Sequence, residues 1–238
     1  MNWKETTKTL CFTVLAVLVL RTAAFASYYI PSESMVPALE VGDRLVITKW
    51  DYGYSRHSLP WGLGNLLPVS STRLFGNSPT RGDIVVFDHP QNLGVNMIKR
   101  VVGVPGDEIQ MRSGYLYING ALIQRRAIRD YIYADQTGRE VRVREFEEDL
   151  LGLRHTIIER SDHSTADNTP VFHVPAGQFF MMGDNRDNSS DSRFQTMSYV
   201  PLENIIGRAR ILSFSLHTCP DDAPHLTCAP QRILTLIN

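Results

Sequence analysis

After residue 30 the chain is punctuated in a way that leaves little room for long helices. Asp43–Lys49, Gly82–Phe87, Val95–Val104, Gln178–Met182 and Ile205–Phe214 are short runs dense in β-branched and aromatic residues, bounded by turn formers. Such runs fit the pleated, half-buried surface of a strand. Pro105-Gly106-Asp107 closes one of them with a strong turn signal. Tyr115–Ile118, Asn119-Gly120 and Ala121–Ile123 read as a hairpin, because Asn-Gly suits a type I′ turn. The expectation is a mainly β protein built on antiparallel sheets.

Between these runs the composition shifts. Residues 112–170 form an expected insertion, a second β-rich lobe, and within it Arg139–Arg160 alternates Arg with Glu densely enough for a short helix or an exposed hairpin. The basic run Gln124–Arg129 is broken by Ala127 and Ile128 and reads as a solvated strand or turn. Ser55–Thr80 is a long loop in which Trp61, Leu63, Leu66 and Leu67 either pack on the body or touch a membrane surface.

The N-terminus is of another kind. Lys4 and Lys8 precede an uncharged run, Thr9–Leu20; Arg21 interrupts, and Thr22–Ile30 continues without charge. Read as one segment, it is long enough for a transmembrane helix in the lipid bilayer, with the lysines holding its start inside and Tyr28 and Tyr29 at the headgroups. The alternative is a signal peptide cut after Ala26, since Ala24-Phe25-Ala26 supplies the small-x-small pattern.

Charge and cysteine usage exclude some partners. The formal net charge is −1, from 24 basic and 25 acidic residues, which offers no positive field for nucleic acid. Cys11 lies in the apolar segment. Cys219 and Cys228 flank Pro220–Thr227 and are expected to form a disulfide, two free thiols being the alternative. No His partner stands at ligand spacing, so no metal is expected.

Three motifs carry chemistry when taken together. Pro31-Ser32-Glu33-Ser34-Met35 follows the apolar segment, and Lys99 sits in the otherwise apolar Met97-Ile98-Lys99-Arg100. Gly183-Asp184-Asn185-Arg186-Asp187-Asn188-Ser189-Ser190-Asp191-Ser192-Arg193 is a polar loop between apolar strands. Alone, Ser34 reads as a turn serine, Lys99 as an edge residue, and the loop as a turn cluster or cation site. The loop does not have EF-hand spacing, and its interleaved arginines argue for self-pairing. A serine hydroxyl needs a base to become a nucleophile. A lysine serves only if burial lowers its pKa from ~10.4; Ile98, Val101 and Val102 are such apolar neighbours in the sequence.

With Gly82-Asp-Ile-Val-Val-Phe87, Ile98-Lys-Arg-Val-Val-Gly-Val-Pro-Gly-Asp107 and Asn204-Ile-Ile-Gly-Arg208 in register, the chain resembles the signal peptidase I family from about Tyr28 to Phe214. The resemblance implies a serine endopeptidase with a Ser34–Lys99 dyad and no cofactor. It cuts after Ala-x-Ala-type signal peptides of exported pre-proteins through an acyl-enzyme. By the same resemblance the Ser34 N–H and Ser32 hydroxyl form an oxyanion hole, Ser189 orients Lys99, and Gly183 lets backbone approach it. Tyr28, Ile30, Met35, Leu39, Val86 and Ile98 would line shallow apolar pockets. The family often has glycine where Glu33 stands, so a positive φ there would strain this chain.

The resulting plan has a tail at 1–8, an anchor at 9–27, a catalytic core at 28–111 and 171–214, the inserted lobe at 112–170, and a C-terminal tail at 215–238. It implies an enzyme of the bacterial inner membrane, single-pass, with its N-terminus inside and its catalytic domain in the periplasm. Two other readings remain at this level: a dedicated processor of pilin or conjugation proteins, and a catalytically silent binding domain on a membrane tether.

Overall fold

The computed structural model describes residues 3–59, 73–74, 76–135, 137–215, 226–227 and 232–237, with backbone alone at 18–23. One helix, α1 (Trp3–Ala24), leads into fifteen strands among the described residues. They are β1 (Phe25–Tyr29), β2 (Asp43–Thr48), β3 (Ile84–His89), β4 (Asn92–Gly103), β5 (Glu108–Arg112), β6 (Tyr115–Ile118), β7 (Ala121–Leu122) and β8 (Arg125–Ala134). They continue with β9 (Glu140–Asp149), β10 (Arg154–Glu159), β11 (Phe172–His173), β12 (Gln178–Met182), β13 (Val200–Pro201), β14 (Ile205–Ser215) and β15 (Ile233–Leu236).

The largest sheet runs β1-β2-β14-β3-β4-β12-β13, with β15 on β14. Its pairings are antiparallel. β3 shows why it is central: its side chains feed both faces. Ile84 and Val86 join Ile30, Met35, Leu39, Leu45, Ile47 and Ile98 on one side. Val85 and Phe87 join Tyr52, Val101, Phe179 and Met181 on the other. A slip of one residue would exchange the two sets, so this register is strongly specified.

A four-stranded sheet, β11-β5-β6-β7, packs through Ile109, Met111, Leu116 and Ile118 onto Val102, Phe180 and Met182 of the large sheet. Its β6–β7 hairpin turns at Asn119 and Gly120, whose φ angles of 54° and 77° are those of a type I′ turn. The third sheet, β10-β9-β8, converts the Arg139–Arg160 stretch into strands rather than helix.

The N-terminal expectation is corrected. The helix stops at Ala24, and Phe25–Tyr29 pairs with Arg44–Thr48 instead of extending an apolar span. What remains begins with Lys4, Glu5, Thr6, Thr7 and Lys8, and among the described residues no helix is long and apolar enough to cross a membrane. The Cys219–Cys228 pair and Trp61, Leu63, Leu66 and Leu67 lie outside the described residues.

Candidate active site

Ser34 sits in a single 3-10 turn, Glu33–Met35, between β1 and β2. Met35 is buried in the apolar cluster below, which pins the turn. Lys99 lies in β4 opposite Val85. Its Nζ donates to Ser34 Oγ at 2.8 Å and to the Ile98 carbonyl at 2.9 Å. Lys99 is 2% exposed and Ser34 7%.

Burial lowers the Lys99 pKa to about 8, against a weaker upward pull from Asp191 and Asp184. An ammonium with few polar neighbours loses its hydration, so its neutral form gains ground. Near neutral pH this lysine can exchange a proton with a hydroxyl it already touches. Ser32 Oγ lies 3.4 Å from Ser34 Oγ. Both serines line a cleft of about 330 Å³, with Tyr133, Arg160 and Asn188 across it.

The polar loop closes the site from the third side. Asn185 N–H donates to the Ser34 carbonyl at 3.2 Å, while its side chain donates to the Glu33 carbonyl and the Tyr133 hydroxyl, each at 3.2 Å. A Cβ added at Gly183 would lie 2.5 Å from the Ser34 carbonyl oxygen and 2.3 Å from Ser189 Oγ, so only glycine fits there. Ser189 is buried against that glycine, and its Oγ has no hydrogen-bond partner among the described residues. Lys99 is therefore held here by Ser34 and Ile98 and makes no hydrogen bond to Ser189.

Glu33 carries no strain. Its φ is not among the positive values of the described residues, and its carboxylate accepts from Asn188 Nδ2 at 2.7 Å. The side chain where glycine is common thus ties the serine turn to the polar loop.

Three buried ion pairs set the loop's shape. Arg100 binds Asp184 with two hydrogen bonds of 2.9 and 2.8 Å, and Arg193 binds Asp191 with two of 2.8 and 2.9 Å. Arg186 leaves the loop and grips Glu148 of β9. Burial alone would raise the Asp184 carboxyl, but the charge and hydrogen bonds of Arg100, with His155 and Arg186 adding to them, hold it below the usual range. His155 of β10 lies 3.5 Å from Glu148 and 3.9 Å from Asp184. Burial, then the charge of Arg100, pushes its pKa down to about 4.

The expected pocket residues Ile30, Met35, Leu39, Val86 and Ile98 form one buried apolar cluster beside the serine turn, with Tyr28 packed on its edge. Sequence reasoning missed Glu148, His155 and Tyr133, and it named Asn185 and Asn188 only as members of the polar loop. Glu148 is one carboxylate among many in a strand that alternates Arg and Glu. Only its tertiary partner distinguishes it.

The chain matches the family described as "Signal peptidase, peptidase S26" over residues 3–214. Signal peptidase I of Rickettsia typhi is 37% identical over 214 residues, covering 86% of this chain and 77% of that protein. The Rickettsia prowazekii signal peptidase I is 36% identical over 214 residues, with the same coverage. A crystal structure of a signal peptidase I from Enterococcus faecalis aligns at 29% identity, over 56% of this chain and 97% of that one, with a TM-score of 0.33. The fold assigned here rests on the strands themselves and not on that alignment. The sheets define a mainly β, antiparallel protein, and they bring a buried serine and lysine into contact. More narrowly, the chain belongs to the signal peptidase family, peptidase S26, and is a serine endopeptidase acting on exported pre-proteins.

Proposed function

We propose that Ser34 is the nucleophile and Lys99 the general base of this signal peptidase. The observation that carries the reading is the buried 2.8 Å contact between Lys99 Nζ and Ser34 Oγ. Neutral Lys99 takes the Ser34 proton as Oγ attacks the scissile carbonyl. The resulting ammonium then protonates the departing amine, leaving an ester on Ser34 that water hydrolyses with Lys99 again as base. The Ser34 N–H and the Ser32 hydroxyl receive the developing oxyanion. Donors aimed at that charge are each worth ~2.7–4 kcal/mol.

The apolar cluster of Ile30, Met35, Leu39, Val86 and Ile98 is already close-packed. It supports shallow pockets for small side chains, hence substrates ending in Ala-x-Ala. Gly183 and Ser189 fix the loop wall behind the lysine, and Ser189 orients Lys99 once substrate alters the site. α1 exposes Trp3, Leu10, Phe12 and Leu15 around its circumference, and exposed apolar side chains of this kind suit lipid. Attachment through α1 would hold Ser34, a short way along the chain, near the membrane surface where signal peptides emerge.

The test is cleavage of a pre-protein ending in Ala-x-Ala by the detergent-solubilised full chain. Ser34→Ala and Lys99→Arg should each lower kcat/KM by at least ~10²–10⁴-fold, since guanidinium stays charged. For the wild type, kcat/KM should rise with pH and level off above about 8, where Lys99 has lost its proton. Turnover by Lys99→Arg, or a flat profile from pH 6.5 to 9, would remove Lys99 as the base.

A further inference from the structure

Asp184 and Asp191 each hold an arginine, but among the described residues Asp187 of the same loop does not. It faces the inserted lobe, where its Oδ2 accepts from the backbone N–H groups of Arg160 at 2.7 Å and Ser161 at 3.0 Å. Beside it stand Glu159, the last residue of β10, and Asp167, in the loop before β11. One carboxylate oxygen from each of the three lies within 4.8 Å of the other two.

A second, separate observation concerns what these oxygens lack. Glu159 Oε1, Asp167 Oδ1 and Asp187 Oδ1 are buried and have no hydrogen-bond partner among the described residues. Glu159 is 2% exposed and Asp167 is fully buried. Their other oxygens are engaged: Glu159 Oε2 by Arg125, and Asp167 Oδ2 by the Ser164 N–H. Arg125 also binds Asp162. The nearby Arg186 and Arg193, whose charges act on Glu159 and Asp167, are already paired with Glu148 and Asp191, so the carboxylates outnumber the guanidinium groups left to them. Buried like charges without donors call for a further positive charge.

The donor set names the kind of charge. All three ligands are oxygen, with no imidazole or thiolate, which disfavours zinc and suits a hard cation. Oxygens bound at ~2.3–2.6 Å to one calcium stand at most about 4.6–5.2 Å apart, and three oxygens mutually within 4.8 Å meet that condition. A cavity of about 470 Å³, lined by Arg142, Arg144, Phe146, Arg160 and Asp162, reaches Glu159 of the cluster.

We propose that Glu159, Asp167 and Asp187 bind one calcium ion, which ties the inserted lobe to the loop that carries Ser189. Water completes the coordination shell. The competing state is a shared proton, which would lower the cluster's negative charge without a metal.

Calorimetric titration of the chelator-stripped full chain with CaCl2, and in parallel with MgCl2, distinguishes these. One calcium per chain is expected, bound more tightly than magnesium. The melting temperature should rise by roughly 5–10 °C at a hundredfold excess over Kd. Asp167→Asn and Glu159→Gln should each weaken calcium binding at least tenfold, with unchanged far-ultraviolet circular dichroism. Should either variant fail to fold, the half-buried Asp187→Asn is read by the same titration. The proposal is overturned if calcium gives neither heat nor a melting shift, if magnesium binds as tightly, or if affinity survives in the folded variants.

Discussion

The polar loop Gly183–Arg193 and the solvent face of the β8–β10 sheet are both written in arginine and carboxylate, yet their charges live in different media. In the loop the Arg100–Asp184 pair is 1% exposed on each side, and Arg193–Asp191 is fully buried. On the sheet, Arg126 faces Glu147 at 3.4 Å with the arginine 72% exposed, and Arg144 reaches Asp130 at 3.8 Å. A buried charge is tolerated only when its partner satisfies it geometrically, so the loop pairs are doubly hydrogen-bonded and shape the wall behind Ser34. A solvated pair contributes ~0–1 kcal/mol and mainly keeps a strand soluble. Alternation within β9 divides the two regimes at neighbouring residues. Glu147 turns to water, while Glu148 is buried on Arg186.

The largest effect expected from this contrast is in the loop. Asp184→Asn strands the Arg100 guanidinium in the interior and should cost ~3–5 kcal/mol in urea unfolding. A loss below about 1 kcal/mol would mean that the loop charges are solvated after all, and the comparison would fail. Arg100→Met combined with Asp184→Asn should recover much of the loss, because no unpaired charge then remains.

His155 gives a smaller, pH-dependent effect at the junction of the two regions. Its folded pKa of about 4 lies below the ordinary 6.5, so the unfolded chain binds the proton more readily. Stability from neutral His155 is complete above pH 6.5 and is lost as pH falls toward 4, by up to about 3 kcal/mol. His155→Gln should flatten that acid limb while leaving the neutral-pH slope unchanged. An acid limb of the same steepness in the variant would move the acid sensitivity elsewhere.

What was legible in the sequence follows the same divide. The runs at Asp43–Lys49, Gly82–Phe87 and Gln178–Met182 became strands within a residue or two, because β-branched, aromatic and other apolar side chains buried on both faces leave few alternatives. Asn119-Gly120 turned as its chemistry requires. Phe25–Tyr29 was misread as part of an apolar span, since hydropathy cannot tell a lipid-facing residue from one that pairs with β2. Ser34 and Lys99 were singled out by resemblance, and their 2.8 Å contact needed the fold. Glu148 and His155 had no signal, because a carboxylate and an imidazole in an Arg/Glu-rich strand look solvated until the loop is packed against them.

The smallest effect is the sharpest check on that divide. Arg126→Ala removes a charge as formal as that of Arg100, from a strand with as many acidic neighbours. Its partner Glu147 remains hydrated when the arginine is gone, so nothing is left unsatisfied. The expected change is within ~0.5 kcal/mol and should disappear in high salt, where exposed pairs are screened. A loss near that of Asp184→Asn would show that the lobe's charges act as a connected network, and exposure would no longer explain why identical residue types differ between the two regions.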